Sequence, residues 1–255
     1  MLTSTSSEEG VSIHTINHPF INHMIPFLLL FLGTMGLSLW ASMRVKSVYR
    51  RHLQTPVANG MTGAQAAALI LQRAGISDVQ IYEHQEMLGD HYDPMHKRLV
   101  LSSDNYHGRS ASAVGVAAHE AGHAIQHKQA YAPLHWRMAA VGVTTFASQI
   151  VMWLPLLGMF TGFLSGYTGL MIMAVAWGVI MLFNLVTLPV EFDATRRAKL
   201  VLNDLGIVRT QEEASAVSAV LGAAAWTYVA AFITSLAYML WHLLPLLVGG
   251  RSSDE

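Results

Sequence analysis

Residues 138–189 read MAAVGVTTFASQIVMWLPLLGMFTGFLSGYTGLMIMAVAWGVIMLFNLVTLP, without one Asp, Glu, Lys or Arg. A helix needs about 20 apolar residues to cross the hydrocarbon core of a bilayer. The stretch is long enough for two crossings, 138–164 and 167–189, with only Ser165 and Gly166 between them. It therefore predicts a membrane hairpin. Residues 24–43 and 223–248 are apolar runs of the same kind and equally free of Asp, Glu, Lys and Arg. A core helix of a soluble protein seldom stays uncharged for so long, so the sequence predicts a mainly α integral membrane protein with four transmembrane helices.

The rest of the composition agrees. Of 255 residues, 53% are hydrophobic and 12% charged, against about 25% charged in ordinary soluble domains. The mean hydropathy is +0.39. This composition argues against a soluble chain and excludes disorder for most of it. A net charge of −1 gives no basic field for nucleic acid. The absence of cysteine excludes disulfides, Cys-type zinc fingers, iron–sulfur clusters and thiol nucleophiles. Metal ligands would have to come from Asp, Glu and the 13 histidines. The first twenty residues carry Glu8 and Glu9 but no Lys or Arg, so no cleavable leader is expected.

Charge then sets the orientation. Arg44, Lys46, Arg50 and Arg51 follow the first span, Arg137 precedes the second, and Arg196, Arg197 and Lys199 follow the third. Of 15 Lys and Arg, only Arg251 falls on the other side. The positive-inside rule predicts both termini outside, with segments 44–137 and 190–222 in the cytoplasm. Residues 1–23 form an extracytoplasmic extension and 249–255 a short tail. His14, His18 and His23 lie in that extension, without acids to fix a metal geometry. Trp241 and His242 fit an interfacial belt.

Within 44–137, Thr62 caps a predicted helix over 63–74, with Gly75 just past its end. Residues 78–84 and 98–102 read as short strands, with 90–94 as the loop between them. Ser110 or Ser112 opens a helix running to Lys128. Thr210 and Glu213 form a capping box before the fourth span. The cytoplasmic part is thus a small α+β unit.

The helix that ends at Lys128 carries His119-Glu120-Ala121-Gly122-His123, an HExxH pattern. Residues i and i+4 share one helix face, so both imidazoles can reach one zinc ion at about 2.0–2.1 Å. Glu120 is rotated away from that pair but stays near the open side of the metal, where it can take a proton from an activated water. The apolar flanks Val114, Val116, Ala117, Ala118, Ala121, Ala124 and Ile125 make this a packed helix whose histidines need partners. A third ligand is required. His127 lies about 12 Å from His119 along a straight helix, too far to share the ion. Glu191 is the first charged residue after the hairpin, and the hairpin returns the chain to the side that carries HExxH. Asp193 is its rival.

These residues resemble a known family. Gly36 to Ala41, Arg44 to Ser47, Thr62 to Ala64, Asp90 to Pro94, Gly115 to His127, Leu185 to Ala194 and Thr227 to Ala231 look like the YugP-type membrane-bound neutral zinc metallopeptidases of bacteria. More distantly, the layout is similar to the HtpX and CAAX-prenyl-protease group. The resemblance implies a zincin-like metalloprotease domain in the bacterial inner membrane, cutting protein or peptide substrates, membrane proteins among them, with zinc as cofactor. Carried over, His119, His123 and Glu191 are the zinc ligands and Glu120 the catalytic base. Proximity in the family pattern offers His91, and less strongly Tyr92 and Arg196, as a second catalytic group stabilising the oxyanion. Strand 98–102 would line the substrate cleft and pair with an extended peptide. The sequence departs from the distant group at Thr195, where that group has an Asp that orients a ligand histidine. Asp193, Asp204 or a backbone carbonyl would have to replace it.

Two other readings stay open. One is a catalytically silent, zinc-stabilised membrane scaffold or adaptor, which would have no need of Glu120. The other is a metal transporter, which would place ionisable ligands in mid-membrane, where the four runs have no acidic or basic residue.

Overall fold

The computed structural model describes residues 19–85, 89–161 and 166–249. His14, His18 and the C-terminal tail from 250 lie outside the described residues, as do the side chain of His23 and most of the join between the hairpin runs. In chain order the elements are α1 (Pro19–His52), α2 (Gly63–Arg73), β1 (Gln80–His84), β2 (His91–Asp93), β3 (Arg98–Ser102), α3 (Ser103–His107), α4 (Ala111–Lys128), α5 (Ala132–Thr161), α6 (Tyr167–Asp204) and α7 (Gln211–Gly249).

Among the described residues the four apolar runs fall in α1, α5, α6 and α7, four helices long and apolar enough to cross a membrane. Their outer faces leave Leu29, Phe146, Leu157, Leu182 and Leu247 exposed. Apolar surface on that scale would not be tolerated in water, and a bilayer removes the problem. Helix α6 packs between α5 and α7, and α1 packs on α7. Few polar groups join the helices in this layer. Asn184 donates to Ser235 Oγ at 3.0 Å and to the Ala231 carbonyl at 3.2 Å, satisfying a polar amide within an apolar helix layer.

With 38 residues, α6 is about 57 Å long, nearly twice the roughly 30 Å of a hydrocarbon core. Its uncharged part ends before Glu191, and its more polar remainder runs on to pack against α4. That contact is close because it is made of small residues. A Cβ on Gly122 would come within 2.9 Å of the Ala194 carbonyl, and Ala118, Ala121, Ala194 and Ala198 are all fully buried.

Helix α4 is itself well fixed. The Ser110 hydroxyl accepts from Ala113 N–H as its N-cap, a contact worth about 0.5–2 kcal/mol. Ile70 of α2, Leu99 and Leu101 of β3 and Leu202 of α6 are fully buried in the core around it. Thr62 caps α2 in a full capping box, and Gly75 past its end has φ +65°. The Thr210–Glu213 box also forms. Buried Glu213 does more, accepting from Ala58 N–H and so tying the loop before α2 to the start of α7.

The sheet differs from the sequence reading. Residues 91–93, expected as loop, form β2, and the strand order is β1-β3-β2. β1 runs parallel to β3, with Gln80 opposite Arg98, and β2 runs antiparallel, with Tyr92 opposite Leu99. Strand 98–102 is therefore central and its backbone groups are used on both sides. It cannot take up an extended peptide, and the edge nearest α4 is β2. Asp90 explains why so short a strand is held. Its carboxylate accepts from Ser102 N–H at 2.8 Å and from Asn105 Nδ2 at 2.9 Å.

Candidate metal centre

The helical spacing of α4 puts His119 and His123 one turn apart, and the α4–α6 seam brings Glu191 to them. Glu191 Oε2 lies 3.2 Å from His119 Nε2 and 3.6 Å from His123 Nε2. The three potential ligand atoms all lie within 4.8 Å of one another. Ligands about 2.05 Å from a tetrahedral zinc stand about 3.3 Å apart, so two nitrogens and a carboxylate oxygen at these separations fit that ion. Asp193 is not part of the group; on the helical α6 it points to Gln126, Arg196 and Arg197. His127 is also outside it, its Nδ1 bonded to the Tyr92 hydroxyl at 2.9 Å.

Side chains behind the ligands fix which nitrogen faces inward. Gln126 Nε2 donates to the Val190 carbonyl at 2.8 Å and to Asp193 Oδ2 at 2.9 Å. Its Oε1 must then face His123 Nδ1, 3.0 Å away. An amide oxygen only accepts, so Nδ1 carries the hydrogen and the neutral ring presents its Nε2 lone pair to the site. His119 Nδ1 meets Thr195 Oγ1 at 3.3 Å. Thr195 thus occupies the place of the missing Asp, as a neutral and longer contact. Asp193 contributes through Gln126.

Glu191 is almost fully buried. Its second oxygen accepts from Arg137 Nη1 at 3.0 Å, which leaves Oε2 alone for a metal. Burial would raise the Glu191 carboxyl pKa, but the hydrogen bonds and charges of the two histidines hold it well below the usual carboxylate range. Burial likewise disfavours a charged His123, yet the bond and charge of Glu191 and the charge of Glu120 lift it above the ordinary histidine value. Both shifts have one cause, an anion kept at the mouth of two imidazoles, which is the field a divalent cation would meet.

A cavity of about 230 Å³ opens beside the group. Glu120, buried on α4, lines it with His123, Glu191 and Arg137. His91 and Tyr92 of β2 line another wall, Leu134, Met138 and Val141 of α5 a third, and Tyr228 of α7 a fourth. Of the groups the resemblance offered, His91 stands at this cavity with its Nδ1 on the Gly89 carbonyl at 2.8 Å. Arg196 is bonded to Asp193, and Asp204 ends α6 away from the group.

Gln126, Arg137 and Tyr228 were not singled out for the site from the sequence. Gln126 is signalled by its i+3 position after His123. Arg137 and Glu191 stand just outside the two ends of the hairpin, at matching depth. Tyr228 lies within an apolar run and carries no such signal.

Against known proteins, the family model described as "Putative neutral zinc metallopeptidase" matches residues 27–247. The chain belongs to this family. Within it, the chain is 41% identical over 228 residues to the "Putative membrane protease YugP" of Bacillus subtilis (strain 168), covering 89% of this chain and 99% of that protein. No solved structure matches significantly. The family's zinc designation agrees with the donor set of His119, His123 and Glu191, which is the possible metal-holding group among the described residues.

Proposed function

We propose that this family member is an integral membrane zinc endopeptidase that hydrolyses peptide bonds at the cytoplasmic surface of the bacterial inner membrane. One observation carries the reading: Glu120 lines the same cavity as His123 and Glu191 of the three-residue group. A structural zinc site closes with four protein ligands, whereas three ligands, an open side and a carboxylate beside it are the parts of hydrolysis.

His119 and His123 present Nε2, held by Thr195 and Gln126. Glu191 presents one oxygen, held by Arg137. Zinc bound there would lower the pKa of a water towards about 7 and polarise the scissile carbonyl. Glu120 accepts the proton of the attacking water on its carboxylate and delivers it to the amide nitrogen as the C–N bond breaks. The β2 edge at His91–Asp93 pairs with the extended backbone of the substrate, and His91 contacts it at the mouth of the cavity. The apolar wall of Leu134, Met138 and Val141 stands where the second span begins, which favours membrane proteins as substrates. The distribution of Lys and Arg supports cytoplasmic placement.

The test is cleavage of an unfolded protein by the purified chain in detergent. Activity should be lost on chelation and restored by zinc. Activity that survives chelation, or its absence in zinc-replete protein, contradicts the reading. The silent scaffold is the second reading, and a chain that binds zinc and cuts nothing would favour it.

A further inference from the structure

We infer that the Tyr228 hydroxyl is a catalytic hydrogen-bond donor to the substrate, stabilising the negative charge that develops on the scissile carbonyl oxygen. This rests on the peptidase reading above.

Tyr228 belongs to the mostly apolar part of α7. Its position is about five residues, or 7–8 Å, into the apolar run. There the ring sits among apolar neighbours while the hydroxyl needs a polar partner. Tyr228 lines the cavity shared by Glu120, His123 and Glu191. Glu191 is held by other groups, because Arg137 holds Oε1 and the histidines face Oε2. The phenol is therefore a donor on the wall of the cavity that the third ligand and the base share.

The other donors around the cavity have fixed partners. Arg137 is paired with Glu191 at 3.0 Å. The Tyr92 hydroxyl is bonded to His127. His91 has its Nδ1 hydrogen on the Gly89 carbonyl, whereas Tyr228 lines the cavity from α7. Donors aimed at the developing oxyanion are among the largest single contributions to acyl-transfer catalysis, about 10²–10³-fold in kcat for one.

The experiment compares wild type, Tyr228→Phe and Glu120→Gln in detergent. It measures zinc content, kcat and KM on a quenched peptide, and the affinity of a phosphinic peptide that mimics the tetrahedral species. Tyr228→Phe should keep its zinc and a KM within about threefold, and lose about 10²-fold or more in kcat. Its affinity for the phosphinic peptide should fall, while that for an uncleaved substrate analogue stays unchanged. A wild-type kcat in Tyr228→Phe overturns the inference and leaves the peptidase reading standing. So does a loss of zinc in proportion to activity, which would make Tyr228 a tether for Glu191. A wild type that binds zinc and cuts nothing brings down the peptidase reading, and this inference with it.

Discussion

Arg137 and Glu191 face each other across the two ends of the membrane hairpin, Nη1 to Oε1 at 3.0 Å. Arg137 immediately precedes the apolar run of α5, and Glu191 follows that of α6 by one residue. The hairpin's own geometry therefore sets the height of the third ligand, and the guanidinium leaves Glu191 one oxygen for a metal. Removing a side chain that orients a ligand typically costs 10–100-fold in metal affinity. Arg137→Met should weaken zinc binding by about that factor, measured by competition with a chelating dye, and Arg137→Lys should restore part of it. Unchanged zinc affinity in Arg137→Met would show that the pair does not position Glu191.

Gln126 sets the tautomer of His123, so its loss should act on zinc and not on the fold. Gln126→Leu keeps the volume but not the bond to Nδ1. We expect zinc affinity to fall about 10–100-fold with circular dichroism unchanged. At His119, Thr195→Val should weaken zinc binding, whereas Thr195→Asp should match or exceed wild type, because a carboxylate accepts from Nδ1 more strongly than a hydroxyl.

Much of this was readable in the chain, for physical reasons that differ by element. Long uncharged runs have few solutions other than a membrane, so α1, α5, α6 and α7 are legible. The spacing of His119 and His123 fixes a helix face without tertiary knowledge. Glu191 is legible through the hairpin's return. Strand β2 was missed because it is three residues long, has turn-like neighbours, and is held against β3 with the help of the Asp90 side chain, whose bonds to Ser102 and Asn105 no strand pattern shows. That pairing also puts β2, and not β3, at the edge of the sheet. Tyr228 was invisible as a site residue because a tyrosine in an apolar run is ordinary until its neighbours are known.

The α4–α6 seam depends on the missing side chain at Gly122. An added Cβ would press on the Ala194 carbonyl at 2.9 Å and on Ala194 Cα at 3.4 Å. Both are backbone atoms and cannot rotate away. Gly122→Val should therefore separate Glu191 from the histidines and destabilise the protein by about 1–3 kcal/mol. Thermal unfolding in detergent and zinc content report the two effects. A variant with wild-type zinc content would show that the seam is slack.

Zinc binding should weaken as pH falls. An imidazole must be neutral to ligate, and an ordinary histidine takes its proton near pH 6.5. Glu191 holds His123 above that value, so proton competition starts at a higher pH than for free histidine. Titration of zinc affinity between pH 5 and 9 checks the sign. An affinity that rises on acidification would contradict imidazole ligation.

The absence of cysteine makes orientation directly measurable. Met95 is 78% exposed, in the turn between β2 and β3. In intact cells Met95→Cys should react only with a membrane-permeant maleimide. Reaction with an impermeant reagent would reverse the proposed topology.

The most direct test of the account is zinc content and turnover measured side by side in wild type, Glu120→Gln and Glu191→Gln. The account predicts one zinc with cleavage in wild type, one zinc without cleavage in Glu120→Gln, and neither in Glu191→Gln. Full zinc in Glu191→Gln, or wild-type turnover in Glu120→Gln, would contradict it.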